Sequence, residues 1–135
     1  MKLLAYEVDK RSFLGVLNED ETWVYPVTAA GMEYRSMKDL IREAGPSEME
    51  MLDYISKKMP GDVIGAAPVE EIKVVSPIAE PDQDIICLGI NYMDHAKESA
   101  RFKKEEFSKP EKAIYFSKRV NRTNDPDGII PAHKN

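Results

Sequence analysis

Ile85-Ile86-Cys87-Leu88-Gly89-Ile90, followed without a break by Asn91-Tyr92-Met93-Asp94-His95-Ala96-Lys97-Glu98, is the stretch on which the reading of this chain turns. The opening residues form a continuous apolar run, the pattern of a strand buried on both faces. The residues after it switch to Asn, Tyr, Asp, His and Glu, and read as a short helical or turn-like segment. A rigid strand that ends and releases polar groups is a common way to build a site, because residues just past its end can face a cavity. His95 and Glu98 stand three positions apart, so in a helical turn they share a face. A carboxylate beside an imidazole raises its basicity and fixes its tautomer, which suits a general base that activates water. The same spacing also describes a surface turn in which Glu98 pairs with a neighbouring lysine.

Downstream, a charged stretch from Arg101 to Lys112 leads to a second buried-strand candidate, Ala113 to Phe116, ending in Lys118-Arg119. The tail from Asn121 to Pro131 is turn-rich. Upstream, Pro77 to Asp84 reads as a connector, and the composition changes there. Two domains are expected, residues 1–80 and 81–135. Within the first, Leu3 to Val8, Phe13 to Leu17 and Thr22 to Val27 are strand-like, with hairpin-turn chemistry in Asn18, Glu19 and Asp20. Two short helices should follow. Ser36 and Asp39 make a capping-box-like pair, and Gly45-Pro46 ends the helix they start. Ser47 and Glu50 form a second box before Met49, Leu52, Ile55 and Met59, an apolar stripe expected in the core. A further strand runs over Ile72 to Val75. The fold class is therefore α+β: a small amino-terminal domain with an antiparallel sheet and two short helices, then the first strands of a second sheet.

Composition narrows the function classes. The chain has 135 residues, 42% apolar and 32% charged, which fits neither a disordered tail nor a membrane protein. No window approaches the ~18 consecutive apolar residues of a membrane helix, and the start MKLLAYEVDK becomes charged too early for a signal peptide. A single cysteine, Cys87, excludes an internal disulfide framework and a multi-cysteine zinc site. The cytoplasm is the default location. The net charge of −5 argues against nucleic acid as a partner. That charge is uneven: residues 1–81 hold 9 basic and 15 acidic side chains, and residues 82–135 hold 10 and 9.

The stretch from Ile86 to Glu98 resembles the opening of the catalytic domain in the fumarylacetoacetate hydrolase (FAH) family, an apolar strand followed by G-x-N-Y-x-D-H-x-x-E. Ala113-Ile114-Tyr115-Phe116-Ser117-Lys118 resembles that family's next strand, and residues 1–80 are similar to the small amino-terminal domain of many bacterial members. The resemblance implies the beginning of a mixed β-sheet roll. It also implies an enzyme that hydrolyses a C–C bond in a small oxo acid of the acylpyruvate or fumarylacetoacetate kind, or that decarboxylates or isomerises one. A divalent cation, Mg²⁺ or Mn²⁺, would act there as a Lewis acid on the substrate's oxygens. Carried over by position, His95 becomes the general base, Glu98 its orienting carboxylate, and Lys118 and Tyr92 substrate contacts. A solvated lysine at a strand end is the plainer reading of Lys118, and Asp94 is assigned to local hydrogen bonding.

The departures are specific. Where the family has F-L-K-P this chain has Phe116-Ser117-Lys118-Arg119, and the loop from Arg119 to Gly128 lacks the family's S-A-x-x-G-P run. The family's metal-binding E-x-E pair and distant aspartate would lie downstream of Asn135, and residues 119–135 contain no glutamate. Asp125 and Asp127 are poor substitutes for preorganised carboxylates. The expectation is thus an amino-terminal piece of a family enzyme, inactive alone and without tightly bound metal. Its unpaired strands would favour a homo-oligomer. The rival expectation is a non-enzymatic binding or regulatory module with a vestigial histidine motif.

Overall fold

Asp9 and Lys10, with φ of 49° and 64°, form the tight connection between β1 (Leu3–Val8) and β2 (Arg11–Leu17). Positive φ at both central positions matches the strand twist of an antiparallel hairpin, and here neither residue is glycine. The computed structural model describes residues 1–89, 92, 94, 97, 98 and 112–130. In it the β1–β2 register runs from Leu3↔Val16 to Val8↔Arg11. The next turn is held by Asn18, whose Oδ1 accepts from the Thr22 N–H at 3.0 Å and the Trp23 N–H at 2.9 Å. β3 (Trp23–Pro26), β4 (Ala67–Pro68) and β5 (Lys73–Val75) complete a five-stranded sheet of order β4-β3-β2-β1-β5. Every pairing in it is antiparallel.

The helices start where side chains can satisfy their free amides. α1 (Met37–Glu43) is capped by Ser36, whose Oγ accepts from the Asp39 N–H at 3.2 Å. α2 (Pro46–Ser56) corrects the expected cap. It starts two residues earlier than a Ser47–Glu50 box would place it, with Gly45 as the cap and Pro46 as the first helical residue. Proline's fixed φ and missing N–H suit that position. The Glu48 carboxylate then accepts the Gly45 N–H at 3.1 Å, the back-reaching half of a capping box.

The sheet is covered on both faces. Val16, Tyr25, Val27, Met37, Leu40 and Leu52 lie in one core cluster, where the helices pack. Leu4, Tyr6 and Val24 fill the other. Adjacent strand residues point to opposite faces, which is why Val24 and Tyr25 are both fully buried yet belong to different clusters. The Tyr25 hydroxyl escapes isolation by donating to the Lys58 carbonyl at 2.8 Å. The expected Met49–Met59 stripe holds for Leu52 and Ile55, with Met49 packed beside them. Met59 lies three positions past the helix end at Ser56 and is 71% exposed.

The chain divides into two compact units, Met1–Ala79 together with the segment from Thr123, and Glu80–Arg122. In the second, β6 (Ile85–Gly89) pairs antiparallel with β7 (Ile114–Lys118), from Ile85↔Lys118 to Gly89↔Ile114. Both strands were expected to be buried on both faces. Instead Ile86 is 74% and Tyr115 65% exposed. Among the described residues this sheet has only these strands, and a two-stranded ribbon cannot cover itself. The architecture is α+β.

Candidate functional site

β6 delivers its chain to the candidate motif at Gly89, and β7 ends at Lys118. The ladder fixes where these ends lie. Gly89 pairs with Ile114, whereas Lys118 pairs with Ile85. Lys118 therefore sits at the opposite end of β6 from the point where residues 90–98 depart, four strand positions or roughly 13 Å away. The antiparallel register thus separates the roots of the two motifs.

The individual side chains are solvated. Tyr92 is 64% exposed, and Glu98 is exposed as well. Asp94 faces the Lys97 ammonium at 3.8 Å in an i,i+3 pair, both side chains being largely in water. This agrees with a local role for Asp94. The Lys118 ammonium lies over the Phe116 ring, 5.8 Å from its centroid, so the chain is laid along the strand's apolar surface. His95 lies outside the described residues, and with it the geometry of the His95–Glu98 pair. Cys87 is a free thiol, half-buried in β6. Among the described residues no group of three His, Cys, Asp or Glu could hold a metal ion. Among them, too, no helix is long and apolar enough to cross a membrane.

Two arrangements escaped the sequence reading. One is an open groove of about 290 Å³ near the end of α2, lined among others by Thr28, Ile55, Lys58, Asp62 and Ile64. The other is a cluster of polar groups beside β5. The Lys73 ammonium lies 3.4 Å from the Glu7 carboxylate and 3.5 Å from that of Asp125. The Glu7 charge first, and Asp125 after it, hold the Lys73 pKa above the ordinary lysine value. Asp125 Oδ1 also accepts the Ser76 N–H at 2.9 Å. No signal short of the fold brings residues 73, 76 and 125 together.

No protein-family model matches this chain. Over 144 aligned residues it is 33% identical to oxaloacetate tautomerase YisK of Bacillus subtilis (strain 168), a match that covers 99% of this chain and 46% of the relative. The chain spans about half the length of the curated relative it matches.

Proposed function

We propose that this chain is the amino-terminal part of an FAH-family enzyme that acts on a small oxo acid, with keto–enol isomerisation as the favoured chemistry. The observation that carries this reading is the similarity to an oxaloacetate tautomerase across 99% of the chain, a span that takes in the NY-x-DH-x-x-E motif. C–C hydrolysis and decarboxylation of such acids also pass through an enolate, though of the leaving fragment rather than of the intact acid, so the resemblance in sequence and the named relative converge on one kind of intermediate.

The chemistry asked of the residues is limited. Isomerisation removes a proton from the carbon next to a carbonyl and returns one to the enolate oxygen. His95 is the base proposed to carry that proton, and the Glu98 carboxylate orients the imidazole and supports its charged form. Tyr92 is proposed to offer a hydroxyl within the same motif, and Lys118, rooted roughly 13 Å away at the other end of β6, a cation for a substrate carboxylate. A divalent metal, Mg²⁺ or Mn²⁺, would add Lewis-acid stabilisation of the enolate in the full-length enzyme. The described residues do not fit that ion: they contain no ligand cluster, and Asp125 is already committed to Ser76 and Lys73. The chain alone is proposed to be inactive.

The test uses a full-length protein carrying residues 1–135. Oxaloacetate is presented as its enol, and the ultraviolet absorbance of that form is followed. Accelerated loss relative to buffer supports the reading. No acceleration, combined with no cleavage or decarboxylation of oxaloacetate or an acylpyruvate, refutes it.

A further inference from the structure

The chain leaves its amino-terminal unit at Ala79 and re-enters it at Thr123, and the Thr123 N–H donates to the Ala79 carbonyl at 2.8 Å. A set of side-chain bonds reinforces this closure. The Thr123 hydroxyl donates to the Ile78 carbonyl at 2.7 Å and also contacts the Ser76 hydroxyl. A hydroxyl has one proton. With Thr123's proton spent on Ile78, Ser76 must be the donor to Thr123, and the relay runs Ser76 to Thr123 to the Ile78 carbonyl. Asp125 accepts the Ser76 N–H at 2.9 Å and faces Lys73 at 3.5 Å. The chain then turns away sharply at Asp125-Pro126-Asp127-Gly128, closed by the Gly128 N–H on the Asp125 carbonyl at 2.9 Å. Proline at the second position is suited to such a turn.

The bonds to Ser76, Ile78 and Ala79 converge on the residues that follow β5, an edge strand of the five-stranded sheet. Ile78 between them packs against the main core cluster. Thr123 and Asp125 are half-buried although they lie 44 or more positions from their partners in sequence. We infer that residues 123–125 are a clasp belonging to the amino-terminal unit, in which Ser76, Thr123 and Asp125 act together to hold the two ends of the 80–122 excursion side by side. The amino-terminal unit is then discontinuous in sequence. Any segment inserted between Ala79 and Thr123 has adjacent roots, so it can be accommodated without loosening the sheet. This inference stands apart from the proposed chemistry and is tested without it.

The experiment is amide hydrogen exchange by NMR on the full 135-residue chain. In the wild type the Ser76 and Thr123 amides should exchange at least about tenfold more slowly than in an unstructured chain. Thr123→Val keeps the shape and removes the hydroxyl. It should lower protection at Ser76 by about tenfold, although the Ser76 amide is bonded to Asp125 rather than to Thr123, while the β1 amides stay protected. Thr123→Ser should restore protection at Ser76. Asp125→Asn, which retains the accepting oxygen, should preserve more of it than Asp125→Ala. Exchange of both wild-type amides at unstructured rates would overturn the clasp. So would a Thr123→Val chain in which Ser76 is unchanged, or one in which Ser76 and β1 lose protection equally.

Discussion

Gly15 lies in the middle of β2, opposite Leu4 on one side and Pro26 on the other. A methyl group added there would sit 2.5 Å from Val24 Cγ2, 2.9 Å from Tyr6 Cε1 and 3.0 Å from the Tyr25 carbonyl oxygen. Carbon atoms in contact prefer about 3.5–4.0 Å, so relief needs a shift of roughly 1 Å. Little can give way. Val24 is fully buried and Tyr6 nearly so, and valine is stiff about its first side-chain torsion. The backbone of β3 is pinned on both sides, Val24 being opposite Leu17 and Ala67. Gly15→Ala should therefore destabilise the unit by about 1–3 kcal/mol, the usual range for overpacking a full core. For a unit of this size, about 4–8 °C per kcal/mol gives a fall in melting midpoint of roughly 4–24 °C. Trp23, the chain's only tryptophan, lies beside Val24 in β3 and reports the transition by fluorescence, with circular dichroism as the second probe. Gly61→Ala is the control. Nothing lies within 4 Å of its added methyl, so its effect should stay within about 0.5 kcal/mol. A Gly15→Ala chain as stable as the Gly61→Ala chain would refute this account of the sheet's packing.

Three further outcomes are expected. Ser36→Ala removes the cap on the Asp39 N–H and should cost about 0.5–2 kcal/mol in chemical denaturation, with no change in the slope against denaturant. Isothermal titration of the chain with Mg²⁺ or Mn²⁺ should show binding no tighter than about millimolar, and a stoichiometric micromolar site would refute the expectation that the metal ligands lie downstream of Asn135. The exposed β6–β7 ribbon should drive self-association visible by light scattering, since unpaired strand edges with apolar faces recruit further strands; a strictly monomeric chain at high micromolar concentration contradicts that.

Much of the amino-terminal sheet was legible because its strands are marked locally. Leu3 to Val8 matches β1 at both ends, and the Asn18 turn sits between β2 and β3 as expected. The Asp9-Lys10 turn was not legible, since neither residue advertises positive φ as glycine would. The start of α2 was misread because Ser47 and Glu50 offered a valid capping pattern. Pro46 and Glu48 offered a better one, and side-chain chemistry alone does not rank the two. In β6 and β7 the strands were found but not their exposure: an apolar run shows that burial would be favourable, not that a partner surface is present. The candidate site was legible only as a motif. Lys118 is placed by a ladder register that depends on long-range pairing, and His95 lies outside the described residues. Asp125 looked like an idle loop carboxylate until the fold brought it to Ser76, 49 positions away.

Whether His95 and Glu98 work as a pair on an oxo acid is read from mutating both in a full-length protein that carries this chain. Turnover of enol oxaloacetate should fall by roughly 10²–10⁴-fold in His95→Ala, the usual contribution of a general base. Glu98→Gln, which keeps the shape and removes the charge, should also lower turnover. The double variant should lose far less than the product of the two single losses, because groups that act as a unit are not additive. Metal affinity should hardly change in any of them. Near-normal turnover after His95→Ala would contradict the account, and would leave Glu98 as a solvated residue on a surface turn.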